Sequence, residues 1–127
     1  MIFGIGTDIV KVSRMAENID KYNDRFVKRI LSDSEYQTYL TKSNPALYLA
    51  KRFAAKEAAV KALGTGFRNG ISMKHIFVEN DQLGKPNLRF VDAAAKVLAD
   101  NNITHSHLTI SDEQEYAIAY VIMEKTE

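Results

Sequence analysis

The sequence predicts an α+β fold: a small antiparallel sheet, one long helix and several shorter helices. Three observations carry this. Helical periodicity fills the first half of the chain, and short strand patterns in hairpin pairs fill the second. Strands and helices do not alternate in the βαβ series that a parallel sheet requires. An alanine-rich run ends at Gly64 in a glycine loop, which marks one helix as much longer than the others. A chain of 127 residues is expected to form one domain spanning 1–127.

In chain order, Ile2 to Val10 is apolar, glycine-punctuated and β-branched, the pattern of a buried strand. Asp8 lies inside it, where a carboxylate needs a partner or a cation. Val12, Met15, Ile19, Tyr22, Phe26 and Ile30 recur at helical spacing and predict a helix over 12–30. Its polar side carries Arg14, Lys21, Arg25, Lys28 and Arg29. Ser32 and Glu35 form a capping box that opens a short helix to about Thr41. Asn44-Pro45 reads as an N-cap and a helix-opening proline for the long helix that runs to Leu63. Ile76–Glu79 and Asn87–Phe90 flank a turn at Asp81–Pro86 and predict a hairpin. Asp92–Asp100 is an alanine-rich helix. His107–Ile110 and Tyr116–Met123 flank a turn at Asp112–Glu115 and predict a terminal hairpin.

On the long helix, Glu57 and Lys61 lie four apart and share a face with Ala50, Phe53 and Ala54. Arg52 and Lys56 are rotated away by roughly 100–140°. They are expected to form the solvent side, which leaves Glu57 and Lys61 as a costly pair on the apolar side.

Bulk properties set bounds. The net charge is +1, so no global field drives binding to nucleic acid or membrane. Residues 1–64 hold 11 Lys+Arg against 7 Asp+Glu, and residues 65–127 hold 6 against 9. The first half is therefore the place to look for an anionic partner. The absence of cysteine excludes disulfides, thiol catalysis and cysteine-ligated zinc, and is compatible with the cytoplasm. Asp8 and Lys11 interrupt the short apolar start, so no signal peptide is expected. No apolar run reaches the ~20 residues that span a bilayer.

Several residues suit chemistry, and each also has a bland reading. Asp8 and Glu57, both in apolar surroundings, suit magnesium, which takes one or two carboxylates and completes its shell with water and phosphate. Equally, Asp8 caps a neighbouring helix and Glu57 pairs with Lys61. Lys61 with Gly64-Thr65-Gly66 suits an anion site, or the glycines simply end the helix. Gly84-Lys85-Pro86 places a lysine beside a ligand or just turns a hairpin. His105 and His107 share a strand face, but too few ligands surround them for zinc. Ser111 and Asp112 read as turn residues. The basic side of 12–30 is a solvated face or a dock for an acidic protein surface.

Together these pieces resemble a known family. Gly4-Ile5-Gly6-Thr7-Asp8-Ile9-Val10 resembles the N-terminal signature of the holo-acyl-carrier-protein synthases. Arg52-Phe53-Ala54-Ala55-Lys56-Glu57-Ala58, followed by Lys61-Ala62-Leu63-Gly64-Thr65-Gly66, resembles the second signature, and Gly84-Lys85-Pro86 the third. Order and spacing hold over essentially the whole chain.

The resemblance implies a 4′-phosphopantetheinyl transferase fold and activity. Such an enzyme moves the phosphopantetheine arm of coenzyme A to a serine of apo-acyl carrier protein, in support of fatty acid biosynthesis. It releases adenosine 3′,5′-bisphosphate. The resemblance further implies a cytoplasmic homotrimer with active sites between subunits. It gives Asp8 and Glu57 as magnesium ligands, with Glu57 also positioning a water or accepting the serine proton. Lys61 is implied to bind the α-phosphate and neutralise the leaving group. Gly64, Thr65 and Gly66 would lie along the nucleotide, and Gly84, Lys85 and Pro86 near its adenine or 3′-phosphate end. Arg14 matches the position that meets carrier protein, with Lys21, Arg25, Lys28 and Arg29 around it.

One departure stands out. Many relatives carry His-x-Ser-x-(Ser/Thr)-His where this chain has His107-Leu108-Thr109-Ile110-Ser111-Asp112. Thr109 keeps a hydroxyl, but Asp112 replaces the second histidine, as in a subset of the family. Two other function classes are open. One is a non-catalytic binder of coenzyme A or carrier protein, which would have no need of Asp8, Glu57 and Lys61 together. The other is a small nucleic-acid-binding domain that uses the basic helix.

Overall fold

The long helix is the axis of the molecule, and most other elements pack against it. In a computed structural model, which describes residues 1–126, this helix is α4 (Pro45–Leu63). It follows β1 (Ile2–Lys11), α1 (Val12–Tyr22), α2 (Asp24–Ile30) and α3 (Asp33–Tyr39). After it come a single 3₁₀ turn at Met73–His75, β2 (Ile76–Asn80), β3 (Pro86–Phe90), α5 (Asp92–Asp100), β4 (Ile103–Asp112) and β5 (Tyr116–Lys125). The expected α+β architecture is present.

Two antiparallel sheets form, one of order β1-β5-β4 and one of β2-β3. Both expected hairpins are therefore real, and β1 returns to pair with the last strand, Gly6 opposite Val121. Ala117, Ala119, Val121 and Met123 of β5 are fully buried and face α4, whose Ala54, Ala55, Ala58 and Ala59 are fully buried too. Small residues on both sides let helix and sheet approach closely. Gly4 and Gly6 take this furthest. A Cβ at either would lie 2.0 Å from a backbone oxygen of α4, Ala62 O or Ala58 O. The glycines of the first motif are thus packing residues, because only a residue without Cβ fits.

Two expectations about helices need correction. The predicted 12–30 helix is two helices. Asn23 adopts φ 54° and ψ −143°, a positive-φ conformation that cannot continue a helix, and its N–H caps α1 through Ile19 O. Arg14 and Lys21 therefore stand on α1, and Arg25, Lys28 and Arg29 on α2. All five are exposed. The second correction concerns α4. Arg52 and Lys56 do not face solvent: Arg52 is 7% exposed and Lys56 fully buried. The side of α4 turned from the sheet is covered by α1, α2, α3 and β2. On that covered side the helix has no solvent to give its charges.

Lys56 is satisfied where it lies. Its ammonium donates to Glu35 Oε1 at 2.6 Å, to Met73 O at 2.9 Å and to Ile30 O, which uses all three protons. Burial pushes its pKa down, and the Glu35 carboxylate pulls it back. Glu35, read from sequence only as half of a capping box, does cap Ser32, but it also accepts Val78 N–H at 2.9 Å. One carboxylate thereby joins α3, α4 and β2.

The α4 termini follow the sequence. Asn44 Oδ1 accepts Leu47 N–H, and Pro45 opens the helix. Gly64 ends it at φ 78°, with Gly64 and Gly66 N–H both donating to Val60 O.

Candidate active site

Alternation along β1 turns Gly4, Gly6, Asp8 and Val10 to the helix side and Ile5, Thr7 and Ile9 to the other. Asp8 continues the glycine row, so the close packing of Gly4 and Gly6 carries its carboxylate to the edge of α4. There Lys61 Nζ donates to Asp8 Oδ1 at 3.1 Å and to Thr7 O at 3.0 Å. Lys61 thus pairs with Asp8, not with Glu57, and Asp8 caps no helix. Its ammonium remains half exposed, with a side-chain exposure of 53% against 16% for Asp8.

Glu57 completes the group. Its pKa is raised, first by burial and then by the negative charge of Asp8, and Lys61 partly offsets both. Two carboxylates within each other's field and one lysine leave a net negative charge at a partly open edge. That donor set fits a hard divalent cation, which takes one or two carboxylates and fills its shell with water and phosphate. Among the described residues no cluster of three carboxylate or histidine ligands forms. Asp112 stands with Lys51, 3.9 Å away, rather than joining Asp8 and Glu57.

Gly64, Thr65 and Gly66 follow Lys61 after Ala62 and Leu63, with the amides of Gly64 and Gly66 engaged in the helix cap. Gly84, Lys85 and Pro86 are placed elsewhere, at the tip of the β2–β3 hairpin. This turn is tightly built: Asp81 Oδ1 accepts the N–H groups of Leu83 and Lys85, and Gly84 takes φ 87°. Lys85 lines a groove shared with Asn87, His107, Thr109 and Tyr120. The third motif and the His107–Thr109 stretch are thereby neighbours, which spacing alone did not suggest. His107 bonds Glu124 across the sheet, and its exposed face also carries His105, as alternation predicts.

Arg52, like Lys56, is buried where the sequence predicted exposure. Its guanidinium lies 4.6 Å from the Tyr48 ring centre and donates to Asn80 Oδ1 at 2.8 Å. Its Nε is buried without a hydrogen-bond partner among the described residues, 3.9 Å from Glu35 Oε2.

Comparison with known proteins shows the family. The sequence profile of the 4′-phosphopantetheinyl transferase superfamily matches residues 4–121. A holo-[acyl-carrier-protein] synthase of Nitrosospira multiformis is 49% identical over 98% of this chain and 100% of the relative. The chain belongs to the holo-acyl-carrier-protein synthase family. Among solved members, the synthase of Neisseria meningitidis superposes with a TM-score of 0.94 at 42% identity, covering 98% of this chain and 100% of that one. The Bacillus anthracis synthase, solved in complex with CoA (3′,5′-ADP), gives 0.82 at 37% identity over 99% of each chain. The expected family and fold therefore stand.

Proposed function

We propose that this protein transfers the 4′-phosphopantetheine arm of coenzyme A to a serine of apo-acyl carrier protein. The observation that carries the proposal is the meeting of Asp8 from β1 with Glu57 and Lys61 from α4. In the reaction the serine oxygen bonds the β-phosphorus of coenzyme A, and the bond from that phosphorus to the bridging oxygen breaks. The products are holo-carrier protein and adenosine 3′,5′-bisphosphate. Such transfer needs positioning and neutralisation of charge more than covalent help.

Asp8 and Glu57 would hold magnesium, which supplies charge neutralisation to the pyrophosphate when bound. Lys61, tethered by Asp8 and Thr7 O yet half exposed, neutralises the α-phosphate as it leaves. Glu57 takes the serine proton. Its raised pKa supports this, since a base works best when its pKa approaches the working pH. Gly64, Thr65 and Gly66 lie along the nucleotide. Gly84, Lys85 and Pro86 meet its adenine or 3′-phosphate end.

Self-association into a homotrimer fits the sheet. Its face away from α4 shows Ile5 (56% exposed), Ile9 (61%) and Ile118 (42%) beside Tyr120. A contiguous apolar face of this kind marks a protein contact. Lys85, His107 and Thr109 line a groove shared with Tyr120, so a neighbouring copy on that face would sit beside the coenzyme A groups. The described residues contain no helix long and apolar enough to cross a membrane. The substrates point to the cytoplasm and to fatty acid biosynthesis.

Arg14, Lys21, Arg25, Lys28 and Arg29 form the surface for the acidic carrier. Tyr22 and Phe26 line a cleft with Arg25 and Arg29 and would add apolar contact. The test incubates the protein with coenzyme A, magnesium and a competent apo-carrier, weighs the carrier by mass spectrometry and measures enzyme mass by light scattering. We expect a gain of one phosphopantetheine and a trimer. No gain overturns the transferase, and a monomer overturns the assembly. Arg14→Glu should raise KM for carrier protein about tenfold, the effect of losing a docking charge pair, and leave that for coenzyme A unchanged. Equal damage to both would remove Arg14 from docking.

A further inference from the structure

We propose that Asn80 is a positioning residue that fixes the Gly84–Lys85–Pro86 turn to the buried core of the protein. The inference rests on the reading above that this turn meets coenzyme A.

The turn holds its own shape through Asp81, whose N–H also donates to Lys85 O and whose carbonyl accepts Gly84 N–H. Shape is not placement, however. A two-stranded hairpin whose tip is exposed at Gly84 and Lys85 needs a fixed point if its backbone is to meet a ligand in one position. Asn80 provides one. Its Nδ2 donates to Gly84 O at 2.9 Å, and its Oδ1 accepts from Arg52 at 2.8 Å. The partners dictate the orientation of the amide: arginine only donates and a carbonyl only accepts, so one end of the side chain must do each. Arg52 is held by the Tyr48 ring and lies close to the Glu35 carboxylate, which is itself bound to Lys56 and Val78 N–H. A line of contacts thus runs from the buried ion pair through Arg52 and Asn80 to the tip of the hairpin.

This fixes which side chains serve at position 80. Aspartate would still accept from Arg52 but would set a carboxylate oxygen against Gly84 O. Alanine would lose both bonds. Glutamine keeps both functions on a longer arm. Because Asn80 is exposed and touches the turn rather than the carboxylates, its loss should fall on coenzyme A binding and spare the chemical step. A tip that must be ordered on binding weakens affinity.

The experiment measures steady-state kinetics of the full-length protein and its Asn80→Ala, Asn80→Asp, Asn80→Gln and Lys85→Ala variants, with thermal unfolding of each. We expect Asn80→Ala and Asn80→Asp to raise KM for coenzyme A about fivefold to tenfold, which corresponds to one lost ordering contact. The kcat and the KM for carrier protein should stay within about twofold, and Asn80→Gln should recover most of the loss. Amide hydrogen exchange at Lys85 should quicken in Asn80→Ala. Unchanged KM in Asn80→Asp would overturn the proposal, because the bond to Gly84 would then be idle. Equal loss in kcat and both KM values, tracking a lower Tm, would also overturn it, since that marks a merely structural residue. If Lys85→Ala leaves KM for coenzyme A unchanged, the reading of the turn itself fails. If Lys85→Ala raises it and the Asn80 variants do not, only the positioning role fails.

Discussion

The two charged pairs of α4 teach by contrast. Arg52 and Lys56 lie in the covered side of the helix, and Glu57 and Lys61 lie at its edge. Lys56 is fully buried and spends its three protons on three acceptors. Lys61 sits half exposed with Asp8 and one carbonyl. A buried charge that is fully bonded holds structure. A charge cluster left negative and open to solvent, as at Asp8, Glu57 and Lys61, is fitted to receive something.

That contrast can be broken by substitution. The largest effect should come from Lys56→Met, which leaves Glu35 buried without its partner. Breaking a buried pair costs ~3–5 kcal/mol, so urea unfolding should show a loss of that size; a loss below ~1 kcal/mol would mean that the hub is not structural. Next, Asp8→Ala should lower the transfer rate at least ~100-fold, about 2.7 kcal/mol of barrier. Its stability should change by under ~1 kcal/mol, because the partner it loses, the Lys61 ammonium, is exposed. A near-normal rate would remove Asp8 from the site, and large destabilisation would make it structural like Lys56.

Gly6→Ala should come third. Its methyl would meet Ala58 O at 2.0 Å, and overpacking of this kind costs ~1–3 kcal/mol. The transfer rate should fall as well, because Asp8 follows on the same strand face. An alanine enzyme with normal stability would show that strand and helix can part freely. The smallest effect on stability belongs to Glu57→Gln. Burial and Asp8 raise the Glu57 pKa, so the folded protein binds that proton more tightly than the unfolded chain does. Stability is therefore lost as pH rises from the ordinary glutamate value through the raised one, and glutamine avoids the loss. At pH 7, without divalent cation, Glu57→Gln should melt slightly higher than the parent. The advantage should vanish on acidification below the ordinary glutamate pKa. A lower melting point at pH 7 would reverse the assigned strain.

Much of this was legible from residues alone. Ser32, Asn44, Pro45 and Gly64 announced their helix ends because caps are made with neighbours three or four residues away. Both hairpins and the α+β class followed from alternation and turn residues. The cluster of Asp8, Glu57 and Lys61 was legible only as alternatives. Lys61 had two carboxylate partners within reach of a plausible fold, and the packing of Gly4 and Gly6 on α4 chose Asp8. The break at Asn23 was hidden because apolar spacing continued through it from Ile19 to Phe26.

The sequence by itself determined where elements start and stop, and which residue types were available for phosphate and metal chemistry. Those properties depend on hydrogen bonds and side-chain spacing within a few residues. Tertiary structure alone decided which charges of α4 became core. Lys56 and Glu35 are 21 residues apart, and the burial of each depends on the other being there. Helical periodicity told Arg52 and Lys56 apart from Glu57 and Lys61 but could not say which side would be covered. The layers that cover it, α1 to α3 and β2, come from distant parts of the chain, and burial is a property of what packs against a face rather than of the face itself.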